Sequence, residues 1–210
     1  MAVRVLDATG NATTATVIQG MRFAVTNGAR VINMSFVGGG SFDPLFSDTI
    51  TEAQISDAVV VVAAGNEAHD SDAAGGARYP CKFTQPNLLC VAALDQNYAL
   101  ARFSSWGATS VHVGAPGTNI LSTWAGAEMT NTAYNAVDGT SMAAPGVAGL
   151  ATMLRAFNPQ YTFVDTVNAI KHGGRSVPAL AGRTTTGKAV DAMSSLAYIN
   201  PPRGLTVTVR

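Results

Sequence analysis

The stretch "AVVVVAAGN", residues 58–66, decides the fold. Its apolar run is unbroken, of strand length, and closed by Gly65 and Asn66. A strand with one wet face alternates apolar and polar residues. A continuous run belongs to a strand covered on both faces, as in a parallel sheet. Parallel neighbours need crossover connections, so helices should separate the strands. Working backwards, residues 45–57 read as a helix with Leu45, Ile50, Ala53 and Ile55 apolar. Before it, "ARVINMSF" (29–36) reads as a buried strand ending in the turn "VGGG" (37–40). Residues 13–27 place Val17, Met21, Ala24 and Val25 on one helical face, and Gly28 stops that helix. "VRVLDATG" (3–10) opens as a strand-like run and a turn. Working forwards, "LLCVAAL" (88–94) is a further strand, and residues 101–138 read as short strands and loops. Helices are predicted over 140–157, 162–172 and 188–199. The order strand, helix, strand, helix, strand means an α/β domain with a mainly parallel sheet. Sites in such sheets form beyond the carboxyl ends of the strands.

The bulk composition narrows the function classes. The chain has 210 residues, 47% hydrophobic and 12% charged, enough for one domain with a sizeable core. Thirteen basic and thirteen acidic residues cancel, so there is no electrostatic footprint for nucleic acid or an anionic membrane. No apolar run reaches the roughly 18 residues of a membrane span. "MAVRVLDATG" lacks the charged and apolar regions of a signal peptide. "VGGGSF" has neither a GxGxxG pattern nor a phosphate-loop lysine, so a nucleotide site is not predicted. Cys81 and Cys90 are the only cysteines, and their spacing suits a small disulfide-closed loop or two buried thiols. No cofactor or zinc site is predicted. The tail "NPPRGLTVTVR" (200–210) alternates Leu205, Val207 and Val209 after two prolines. It reads as a linker into a further domain or as an edge strand of this one, so residues 1–200 form the domain.

The chemistry concentrates in "VDGTSMAAPGVAGL", residues 137–150. Ser141 stands between Gly139 and a slim apolar helix, where unpaired N–H groups and the helix dipole favour developing negative charge. Such a serine is placed to attack a carbonyl; equally, it is a capping serine on a core helix. Pro145 falls early in the helix, where a proline costs least. Asn66, at the carboxyl end of the central strand, either aims its amide at a ligand or caps its own turn.

Taken together these segments resemble the subtilisin-like serine peptidases. "GTSMAAP" (139–145) matches that family's nucleophile motif, and "AAGN" (63–66) is similar to the segment with its oxyanion-hole asparagine. "VINMSFVGG" (31–39) resembles the strand that binds substrate backbone, and "FSSWGATSVHVGAPGTNILST" (103–123) a later structural stretch. The likeness runs from about residue 2 to 199. It implies a three-layer α/β fold, the carboxyl-side portion of a subtilisin-like domain. It implies Ser141 as nucleophile and Asn66 as oxyanion donor. Ser35, Phe36 and Val37 would pair with substrate, while Ala63, Ala64, Gly65 and Thr140 would line the cleft. Export from the cell is implied as well. One departure is Gly146, where the family often has a histidine. The larger one is that the aspartate and histidine motifs, which the family places upstream, have no counterpart here. Asp7 follows an apolar run, but its context matches the segment after the family's histidine, where the aspartate is a turn residue. Of the three histidines, His112 and His172 read as structural, and His69 is the one candidate for a substitute base. An amino-side segment carrying the Asp and His is therefore the expected partner, besides a peptide or protein substrate. The acidic loop "EAHDSD" (67–72) reads as a solvated polar loop or a structural calcium site. Other functions compatible with these residues are a silent peptide-binding module and an esterase acting on activated esters.

Overall fold

The computed structural model describes residues 1–38, 41–124 and 134–199. Its elements in chain order are α1 (Thr14–Thr26), β1 (Val31–Met34), α2 (Pro44–Ile55), β2 (Val59–Ala63), β3 (Leu88–Leu94) and β4 (Val113–Pro116). There follow β5 (Ile120–Thr123), β6 (Tyr134–Val137), α3 (Thr140–Phe157), α4 (Phe163–Gly173), β7 (Arg175–Ser176), β8 (Lys188–Ala189) and α5 (Ala192–Ile199). Six strands form one sheet in the order β1-β2-β3-β4-β8-β7, all parallel except β7. β5 and β6 make a separate antiparallel pair.

Every residue of β2 and β3 is buried. Because successive side chains of a strand point to opposite faces, the valine run feeds two cores at once. Val60 and Val62 pack with α1 and α2 through Val17, Met21, Phe46 and Ile50. Val59 and Val61 pack with α3 and α4 through Ala144, Val147, Leu154 and Ile170. This is the three-layer arrangement, and the small residues of α3 let it lie close across the sheet.

Local chemistry sets the helix ends. Thr13 caps α1 through Thr16 N, and Asp43 caps α2 through Phe46 N. Phe46, Thr49, Ile50 and Ala53 are buried, whereas Leu45 and Ile55 are exposed. Residues 1–13 form no strand, because no backbone hydrogen bond pairs residues 1–6 with the sheet among the described residues. The helix predicted over 188–199 begins only at Ala192, since Lys188 and Ala189 are claimed by the sheet. Residues 200–210, the linker or edge strand of the sequence analysis, lie outside the described residues.

The loop between β2 and β3 is stapled. Cys81 and Cys90 are bonded, with Cα atoms 5.2 Å apart. In the acidic loop before it, Glu67 and Ala68 are exposed, while residues 69–72 are half-buried or buried. Asp72 pairs with Lys82 Nζ at 2.6 Å and accepts from Thr109 N, and Ser71 is buried. Burial opposes ionisation of Asp72, but Lys82 and the Thr109 N–H outweigh it and hold its carboxyl far below the usual range. Among the described residues, no three His, Cys, Asp or Glu side chains converge as metal ligands.

Candidate active site

The site forms where the carboxyl ends of β1 and β2 meet the start of α3. Two residues past β2 stands Gly65, whose φ of +107° is a conformation a side chain would strain. That turn exposes Asn66 beyond the sheet. On the other side, β6 delivers Gly139 to the amino end of α3. Gly139 N donates to Gly117 O at 2.8 Å, and Asn119 N donates to Asp138 Oδ1.

Thr140 ties the two approaches together. It is fully buried, as are Ala63 and Ala64. Its backbone N–H and its hydroxyl both donate to Asn66 Oδ1, each at 2.9 Å. Its Oγ1 accepts from Gly65 N at 3.1 Å. With the oxygen of its amide held on both bonds, Asn66 must turn its NH₂ the other way. A Cβ built on Gly139 would stand 3.5 Å from Asn66 Nδ2 and 3.6 Å from Ser141 N. Both nitrogens therefore stand beside Gly139 where it carries no side chain, with Met142 Sδ 3.2 Å from the same point. Gly139 has φ 158° and ψ 154°, a conformation that side chains rarely adopt, so its backbone calls for glycine there.

Ser141 lies in the first turn of α3 and is half-buried. Its hydroxyl donates to the Ser35 carbonyl at 2.8 Å. Ser35, Phe36 and Val37 follow β1 and are half-buried, while Ala63, Ala64 and Gly65 are buried at the end of β2. Pro145 lies deeper in α3 than the orphan N–H groups of the first turn. It has no N–H to return to the Ser141 carbonyl, so the helix forgoes one bond directly at the serine.

No base is brought to this hydroxyl among the described residues. His69 Nε2 pairs with Gly76 O at 2.9 Å, within its own loop. His112 lies just before β4, and its Nδ1 accepts from Cys90 N at 2.8 Å. Burial, with a smaller contribution from the Lys171 charge, pushes its pKa down to about 3, so the ring is neutral. His172 sits in the last turn of α4. Asp7 is spent on its own turn, accepting from Thr9 N and Asn11 N. Sequence reasoning missed the inward role of Thr140 and the space at Gly139. The signal was present, since both lie in the same motif as Ser141.

Known proteins resemble the chain in sequence and in fold. The family model described as the Subtilase family matches residues 1–189. Subtilisin Savinase from Lederbergia lenta is 35% identical over 176 residues, covering 84% of this chain and 60% of the relative. Subtilisin amylosacchariticus from Bacillus subtilis subsp. amylosacchariticus is 38% identical over 161 residues, covering 77% and 40%. Among solved structures, a cold adapted subtilisin-like serine proteinase superposes with a TM-score of 0.77 at 29% identity, over 90% of this chain and 65% of that one. A structure of proteases from Pseudoalteromonas arctica gives 0.80 at 30% identity, over 93% and 61%. The chain thus spans 40 to 60% of the length of these two sequence relatives. With a family match over nearly all its described residues and the subtilisin-like fold beneath it, the chain belongs to the Subtilase family.

Proposed function

We propose that the chain carries the nucleophile and oxyanion half of a subtilisin-type serine endopeptidase site. Ser141 Oγ adds to a peptide carbonyl and forms an acyl-enzyme as the amine departs. Asn66 Nδ2 and the Ser141 N–H hold the negative oxygen in the space beside Gly139. The backbone of Ser35–Val37 pairs with the extended substrate as an added strand, and Ala63–Gly65 wall the pocket for the residue before the cut. The observation that carries this reading is the double hold of Thr140 on Asn66 Oδ1, which leaves the amide donor free. The Cys81–Cys90 bond supports an extracellular setting, where disulfides persist.

An amine leaving group needs a proton from a general acid, and none stands at Ser141 among the described residues. This chain by itself is expected to cleave p-nitrophenyl acetate slowly and casein hardly at all. Subtilisin, a relative, keeps a residual acceleration of roughly 10³–10⁴ over water when triad members are removed. The test compares both substrates with wild type and Ser141→Ala. Ser141-dependent ester turnover supports the half-site; robust Ser141-dependent casein cleavage would mean that a base is present. A second reading, a silent peptide-binding module, is favoured by the Ser141 hydroxyl resting on the Ser35 carbonyl. Equal ester rates in the two proteins would leave that one standing.

A further inference from the structure

Of the chain's asparagines, Asn27 alone is followed by glycine. An asparagine's side-chain carbonyl carbon can close a five-membered ring on the next residue's backbone nitrogen. A side chain on that next residue crowds the ring, and glycine has none. The fold leaves this pair accessible. Asn27 caps the end of α1, and both Asn27 and Gly28 are exposed. A Cβ built on Gly28 would meet nothing within 4 Å, so the space that the ring and water need is open. Two hydrogen bonds hold the resting conformation. Asn27 Nδ2 donates to Phe23 O at 2.8 Å, and Gly28 N donates to Val25 O at 3.0 Å. Both belong to the last turn of the helix, the part that opens at least cost. The one comparable pair is Asp138–Gly139, and there the fold closes the route. Gly139 is buried with its N–H on Gly117 O, and Asp138 Oδ1 accepts from Asn119 N.

We propose that Asn27 is a self-modification site, where the chain deamidates as it ages and so loosens the junction of α1 with β1. When the last turn opens, the deprotonated Gly28 nitrogen adds to Asn27 Cγ. The Cγ–Nδ2 bond breaks and ammonia leaves, which gives a cyclic imide. Water then opens the imide at one of its two carbonyls, giving aspartate or isoaspartate. Either product sets a carboxylate where Nδ2 had donated to Phe23 O. A carboxylate only accepts, so that bond is lost. The new charge also stands at the negative end of the helix dipole. Isoaspartate further lengthens the main chain by one carbon at a tight junction. Ala29 N donates to Ala24 O, Arg30 O accepts from Val59 N, Arg30 Nη1 donates to Ser56 O, and β1 begins at Val31. The inference uses none of the chemistry of Ser141 and holds whether or not that serine is catalytic.

The test ages the full chain in warm, mildly alkaline buffer beside the peptide acetyl-FAVTNGAR-amide, which copies residues 23–30. Trypsin cuts after Arg22 and Arg30, so one fragment carries Asn27 as its only amide side chain. That fragment is expected to gain the mass of OH in place of NH₂ and to elute as two isomers. One isomer should be a substrate for an isoaspartyl methyltransferase. The folded chain should convert about tenfold more slowly than the peptide, since its last turn must open first. The intact chain has no net charge, so isoelectric focusing should resolve the product by its added negative charge. Asn27→Asp copies one product and should melt about 2–4 °C below the wild type. Asn27→Ser should show no conversion. If Asn27→Asp does not fold, the acidic fraction of the aged wild type is melted instead. An unmodified fragment after roughly one hundred half-lives of the peptide would overturn the proposal. Earlier modification of Asp138 or of another asparagine would overturn the choice of site. Melting of Asn27→Asp with the wild type would overturn the loosening of α1.

Discussion

At the residue scale, Thr140 concentrates the most structural work in one side chain. Its hydroxyl closes a bridge between β2 and α3, with partners 74 and 75 positions away in sequence. Thr140→Val keeps the shape but strands the Gly65 N–H and leaves Asn66 Oδ1 on the backbone N–H of residue 140 alone. The expected cost is about 1–3 kcal/mol in stability for the unmet buried groups. Ser141-dependent ester turnover should fall further than stability explains, by roughly 10²-fold, the scale known for loss of an oxyanion donor in subtilisin. Denaturant midpoints and initial rates on the same protein separate the two effects; an unchanged rate would mean that Asn66 needs no such hold. The placement of Ser141 and Asn66 at element boundaries was legible in the sequence because each sits in a dense motif. The orientation of Thr140 was not, because it depends on a partner that only the folded chain brings near. The idle state of His69 was hidden for the same reason: its acceptor, Gly76 O, is set by the loop's path.

At the scale of elements, the long helices were readable from periodicity and the two fully buried strands from their unbroken apolar runs. β7 and β8 were not, since two residues are too few to show a period. The strand-like pattern of residues 3–6 was genuine, but a strand also needs a partner. Elements here are joined by ionic and covalent ties with distinct signatures. Asp57 bonds Arg155 at 2.6 Å and accepts from Phe163 N, linking the end of α2 to α3 and α4. Burial raises the Asp57 pKa, but Arg155 and the Phe163 N–H outweigh it and lower it overall. A depressed carboxylate stabilises the fold above its unfolded pKa and ceases to as pH falls through the folded value. Asp57 and Asp72 should therefore cost stability below about pH 4. His112 acts in another window. Its folded pKa of about 3 lies below the ordinary value of 6.5, so the unfolded chain binds the extra proton first. Stability should fall as pH drops from 6.5 towards 3, and His112→Gln should flatten that part of the melting profile while leaving the part governed by the two aspartates. The Cys81–Cys90 loop spans nine positions, so opening it should cost roughly 2–3 kcal/mol on the chain-entropy account. Intact mass after alkylation without reductant should show no labelled thiol; two labelled thiols would refute the bond.

For the whole molecule, the family and the parallel sheet could be read from one valine run and two motifs. The outcome of the chemistry could not, because it depends on a base that no described residue brings to Ser141. The doubled role of the valine run has a further consequence, and it concerns cooperativity. Val60 and Val62 belong to one core and Val59 and Val61 to the other, so the two helical layers share a single backbone. Peeling α1 and α2 away uncovers one face of the strand that α3 and α4 need on its other face. The layers should therefore open together rather than as separate units. Amides of β2 and β3 should exchange only through global unfolding, with one common free energy, although they serve two cores. A lower opening energy confined to one layer, reached before the other begins to exchange, would show that the shared strand does not couple them.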